Sequence, residues 1–128
     1  MVAIPTSHIS ELPLHDAEFV SISISYEVNN SSQAIIRVIF HPDEDPAPLI
    51  PFGVNGRRVE FTIDLNSIQI DDVAGINAGV QTLDGWKIVH DSARDEQSPA
   101  SKFTQHRLTF SSGSVYNIAA RQVHVANW

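Results

Sequence analysis

Residues 103–125 read FTQHRLTFSSGSVYNIAARQVHV, two alternating runs separated by a serine- and glycine-rich spacer. A repeat of period two places successive side chains on opposite faces of a strand, so a sequence written this way cannot lie down as a helix. Leu108 and Phe110 share one face of the first run; Tyr116, Ile118 and Ala120 share one face of the second. For both sets to meet the same core, the loop between them must hold an odd number of residues. Ser111-Ser112-Gly113 meets that condition, with Gly113 at the left-handed position that closes such turns, and it predicts Leu108 opposite Tyr116. Beyond Ala120 the apolar positions become odd-numbered, at Val123 and Val125, which predicts a bulge or bend between Ala119 and Gln122.

The same alternation recurs along the chain. Val20, Ile22, Ile24, Tyr26 and Val28 form one face of a strand, with serines and Glu27 opposite. Asn29 to Ser32 has turn composition, and AIIRVIFH from Ala34 to His41 returns with Ile36, Val38 and Phe40 inward. Val59, Phe61, Ile63 and Leu65 make a further strand, and a separate short one is expected through Ile68 and Ile70. Asp84-Gly85 is a two-residue hairpin signal, after which Trp86, Ile88 and His90 continue as another strand. Residues 1–16, which contain Pro5 and Pro13, read as an extended lead-in, and residues 91–102 as a polar loop. No long period-3.6 pattern occurs, so the expected class is all-β: an antiparallel β-sandwich or a partly open β-barrel of about seven to nine strands.

A chain of 128 residues is the size of one domain and can bury about two-thirds of its unfolded surface without staples, so residues 1–128 are taken as a single unit. There is no cysteine, hence no disulfide. The N-terminal residues lack a basic segment followed by an apolar run, and no stretch approaches the roughly 20 apolar residues of a membrane span, so a cytoplasmic protein without a membrane partner is expected. Formal net charge is -7, and only Arg57 and Arg58 are adjacent basic residues, which argues against nucleic acid and is compatible with a basic protein partner.

Chemistry is hard to read from these residues. The six histidines, at 8, 15, 41, 90, 106 and 124, include no pair spaced to chelate a metal on one strand or helix. If a site assembled from separate strands, His41, His90 and His106 would be its ligands. His15-Asp16 and His90-Asp91 are not dyads on a strand, where neighbours point apart; a histidine bonded to a backbone carbonyl at a strand end is the expected role. Neither a G-x-S-x-G elbow nor a thiol nucleophile is present, and no cofactor is expected. The segment 42–56, PDEDPAPLIPFGVNG, holds four prolines and three consecutive acids and reads as a long loop. Long loops in small domains are frequently functional, so Asp43, Glu44, Asp45 and Phe52, with the adjoining Arg57 and Arg58, are the candidate binding residues.

Leu12-Pro13-Leu14-His15-Asp16-Ala17 running into an alternating strand, together with Phe110-Ser111-Ser112-Gly113-Ser114, resembles small all-β bacterial families, some of them immunity proteins of polymorphic toxin systems. The resemblance covers about a third of the chain. It implies a cytosolic protein with no catalytic residues that binds and neutralises a partner protein. The leading expectation is therefore a non-enzymatic protein-binding module. The alternatives are a β-barrel of cupin or calycin type holding a small ligand or metal, with or without enzymatic activity, and a homo-oligomer built through an exposed edge strand.

Overall fold

The computed structural model describes residues 2–26, 32–45, 47–72, 81–91 and 103–128, excluding the side chains of Tyr26, His90 and Asp91. Its elements are β1 (Val2–Ala3), α1 (Thr6–Ile9), β2 (Glu18–Tyr26), β3 (Ser32–Ile39), a 3-10 helix (Ala47–Phe52), β4 (Arg58–Asp71), β5 (Gln81–Asp91), β6 (Thr104–Phe110) and β7 (Val115–Asn127). The strands form one sheet in the order β1-β7-β4-β3-β2-β5-β6, and β6 also pairs with β7, so six of them close a ring and β1 is added outside it. Every pairing is antiparallel. This is the expected all-β class, in its barrel form.

The ring is strongly staggered. Arg58 of β4 lies opposite Ile39, which lies opposite Glu18, which lies opposite Thr82 of β5. Continued through β6 and β7, the circuit returns to β4 near Asp71, at the far end of that strand from Arg58. Such a shift requires strands tilted steeply to the barrel axis. Among the described residues, the β2–β5 ladder that closes the circuit comprises Glu18 opposite Thr82 and Phe19 opposite Gln81.

The hairpin forms as its alternation predicts. Leu108 lies opposite Tyr116, Gly113 has φ 96°, and the loop closes through Phe110 N–H to Ser114 O (3.1 Å) and Gly113 N–H to Phe110 O (2.9 Å). The expected irregularity in β7 is also present: Asp64 pairs with Gln122 and Leu65 with Ala120, leaving Arg121 as the extra residue. Both Ala120 and Val123 thereby reach the core.

Three further bulges change what the alternation alone implies. Asn66 is skipped between Leu65 and Ser67, so the separate strand expected through Ile68 is the continuation of β4. Asp84-Gly85 is not a hairpin turn: Leu83 pairs with Phe110 and Gly85 with Thr109 of the same neighbour, so β5 runs straight through with Asp84 as the extra residue. Leu83 and Trp86 have opposite parity, and only a bulge between them buries both. In β2 the register shifts between Phe19 and Ser21. Phe19 rather than Val20 is the buried residue there, while Ile22 and Ile24 pack partly buried against the core. Ile88, expected inward, is half-buried.

Residues 1–16 are not simply extended. A single helical turn follows Pro5, whose carbonyl accepts from His8 N–H (3.0 Å). A proline at a helix start loses no intrahelical bond, because that N–H has no partner in any case. Ile9, Leu12, Leu14 and Ala17 are all buried, so this segment belongs to the core. Leu49 and Val54 are likewise fully buried, so the proline-rich segment is anchored in the core at these two residues.

Two aromatic groups fill the ring. Phe19, Phe110 and Tyr116 meet with centroids 4.7 to 5.6 Å apart, two of the three contacts being edge-to-face. Phe61 packs on Trp86 at 4.9 Å, and the Trp86 indole N–H donates to His106 Nδ1 at 2.9 Å. His106 is 1 % exposed, and since Nδ1 accepts, its neutral ring carries the proton on Nε2.

Two stability measurements follow. Nothing lies within 4 Å of a Cβ built on Gly113, so G113A should lose only the cost of a left-handed alanine, about 1 kcal/mol, read as a lower denaturation midpoint. H106L strands the buried indole N–H and should lose about 1–3 kcal/mol beyond any change in packing. H106Q, whose Oε1 can replace the acceptor, should recover part of that loss; equal losses would mean the hydrogen bond contributes nothing.

Candidate protein-binding site

The short ladder that closes the ring also gathers charge. Leu14 and Ala17 are buried, which holds the intervening His15 and Asp16 at the surface. Asp16 has φ 66°, unusual for a residue with a side chain, and its N–H donates to Leu83 O at 2.8 Å. Leu83 N–H donates in turn to Ala17 O at 2.8 Å, so the lead-in brackets the start of β5. His15 Nδ1 lies 2.8 Å from the Asp84 carbonyl oxygen, to which it donates, and His15 Nε2 is 3.6 Å from Asp16 Oδ2. This is the strand-end role expected of His15.

The His15 imidazole titrates above the ordinary histidine range. The Asp84 carbonyl is the main cause, followed by the Asp16 carboxylate and, more weakly, those of Asp84 and Glu44, acting against slight desolvation. The effect of Glu44 links the lead-in to the loop 42–56. The carboxylates of Asp16 and Asp84 lie 3.6 and 3.7 Å from the exposed His15 ring.

The loop is held by its own polar groups. Arg57 Nη1 donates to the carbonyls of His41 (2.7 Å) and Glu44 (2.8 Å), and Asp45 Oδ1 accepts from Ala47 N–H (2.9 Å) at the start of the 3-10 helix. His41 Nδ1 accepts from Asp43 N–H at 3.1 Å. Phe52 is half-buried and meets His8 edge-on at 5.1 Å, tying the 3-10 helix to α1. Above these anchors Ile50 is 59 % exposed, flanked by exposed Pro48 and Pro51, while the Asp43 side chain is 91 % exposed.

The six candidate residues thus divide. Asp43 is exposed and Glu44 half-buried. Asp45 and Arg57, though exposed, and half-buried Phe52 make the contacts that hold the loop. Arg58 lies over the Trp128 ring at 5.2 Å, with Arg37 over the same ring at 5.3 Å, and Trp128 Nε1–H donates to Val38 O at 3.3 Å. It is a packing residue. The histidines of the metal alternative are not assembled by what is described: His41 belongs to the loop, His106 is in the core against Trp86, and the His90 side chain lies outside the described residues. Among the described residues there is no group of three metal-capable side chains.

Sequence reasoning missed Asp84 and Ile50. Asp-Gly reads locally as a turn, and nothing local reveals that Asp84 will sit beside His15, 69 positions away. No local signal singles out Ile50 either: Leu49 lies between the same two prolines and is fully buried.

The two stretches that carry the family resemblance meet at the start of β5. On one side stand Asp16 and Ala17; on the other, Ser111 N–H donates to Thr82 O at 3.1 Å and Ser112 Oγ to Gln81 Oε1 at 2.9 Å.

Following the His15 proton resonance against pH should give a midpoint above 6.5, lowered in D16N and, by less, in E44Q. Because the folded value is the raised one, the stabilisation from His15 is fully present below the unfolded midpoint and disappears as pH rises through the folded one. A midpoint unmoved by D16N would remove that carboxylate from the account. Comparison with protein-family models, curated proteins and solved structures yields no match, so the functional reading rests on this geometry.

Proposed function

We propose that this protein is a non-enzymatic binding module, of the immunity type in its mode of action, that docks and neutralises a basic protein partner on its acidic side. The observation that carries the reading is the loop 42–56, which offers exposed Ile50 and the exposed carboxylate of Asp43, together with the exposed carboxylates of Asp16 and Asp84 near His15. An interface needs an apolar anchor inside a polar rim, and a preformed loop spends little conformational entropy on binding. Acidic charge around the anchor favours encounter with a basic surface and disfavours acidic ones. No described helix is long and apolar enough to cross a membrane, and the reading assigns the protein to the cytosol.

The test uses the intact protein as bait in its source cell, followed by kinetics with the recovered partner. The partner should be basic. The D43K/E44K/D84K variant should lower the association rate about tenfold or more at low salt and flatten its salt dependence, while I50S should mainly speed dissociation. An association rate at low ionic strength that the charge reversal leaves unchanged would overturn the electrostatic docking.

A further inference from the structure

We infer that the outer face of β4, β6 and β7 carries a second binding site, independent of the acidic side, for a small organic carboxylate that also bears amide groups. The site is a groove of about 470 Å³. Cavities of about 300–1,000 Å³ are the usual size for small-molecule sites, so there is room for considerably more than a bare ion.

The register explains the groove. Ala119 of β7 lies opposite both Gln105 of β6 and Ser67 of β4, so the middle of that row is a single methyl between two longer side chains. In the next row Asn117 lies between Arg107 and Gln69. The bulge between Ile88 and His90 brings exposed Val89 of β5 to the wall. The lining is rich in amides and holds one formal charge, the guanidinium of Arg107.

Arg107 is oriented by its neighbour. Its Nε–H donates to Asn117 Oδ1 at 3.2 Å, which fixes the guanidinium plane, and among the described residues its terminal nitrogens have no hydrogen-bond partner. A planar pair of N–H donors matches the two oxygens of a carboxylate. The one cation in the lining balances one carboxylate. Ser67, Gln69, Gln105 and Asn117 offer both donors and acceptors, which suit the amide groups of a ligand body.

The probe is N-acetyldiglycine, followed by amide and arginine Nε–H resonances of the intact protein, with its neutral C-terminal amide and inorganic phosphate as comparisons. The acid should give saturable shifts at Arg107 Nε–H and at the side-chain amides of Gln69 and Asn117. Affinity should fall about tenfold for the neutral amide and for R107Q, an exposed substitution whose fold the same spectra verify. No saturable shift at these groups, equal affinity for the neutral amide, or tighter binding of phosphate would each overturn the assignment. D43K/E44K/D84K should leave the titration unchanged; if that variant abolishes it, the two sites are not independent and the inference fails.

Discussion

Closure of the ring at β2 and β5 is the constraint on which the rest of the molecule depends. The described ladder is short, yet it joins a curved sheet to itself and gives the first residues of β2 and β5 a partner strand. It is reinforced from both sides by hydrogen bonds to the start of β5, from Asp16 and Ala17 on one side and Ser111 on the other. Beneath it Phe19 meets Phe110 and Tyr116 edge-on or nearly so, three residues from three strands that only closure brings together. The same closure carries Asp84 to His15, so the electrostatics of the acidic side are a by-product of how the barrel shuts.

A small ring built from long strands has a geometric difficulty that the bulges resolve. β4 spans 14 residues and β7 13, each longer than the patch of core it can face in one phase. Skipping Asn66, Asp84 and Arg121 resets the phase within a strand, so that both halves of each direct apolar residues inward. The extra residues themselves become useful at the surface. Arg121 donates to Leu65 O at 3.1 Å and Asn66 Oδ1 at 3.2 Å, joining two of the bulges across adjacent strands. Bulges also bend the sheet, and a sheet this steeply tilted needs that bending to close.

At the acidic side, burial and charge are divided between neighbouring residues. Buried Leu14 and Ala17 flank exposed His15 and Asp16, and buried Leu49 precedes exposed Ile50. Arg57 ties the loop together through the carbonyls of His41 and Glu44, the first of which also accepts from Glu44 N–H. The outer groove around Arg107 rests on the sheet itself and owes nothing to these loops.

Alternation and turn chemistry are local properties, and what depended on them was legible: the all-β class, the β6–β7 hairpin with Gly113 at φ 96° and Leu108 opposite Tyr116, and the phase change near Arg121. The apolar faces of β3 and the first half of β4 were equally plain, since each keeps one phase. Asp84-Gly85 shows where local reading stops. The same dipeptide serves a hairpin or a bulge, and the choice lay with Leu83 and Trp86, whose opposite parities could both be buried only if the strand continued. The loop 42–56 was recognisable as a candidate, but composition could not say that Asp45, Arg57 and Phe52 would make the contacts that hold it. Ring closure, the meeting of His15 with Asp84 and the groove beneath Arg107 were decided by tertiary structure alone, because each joins residues far apart in the chain whose proximity depends on how many strands the sheet contains before it meets its own edge.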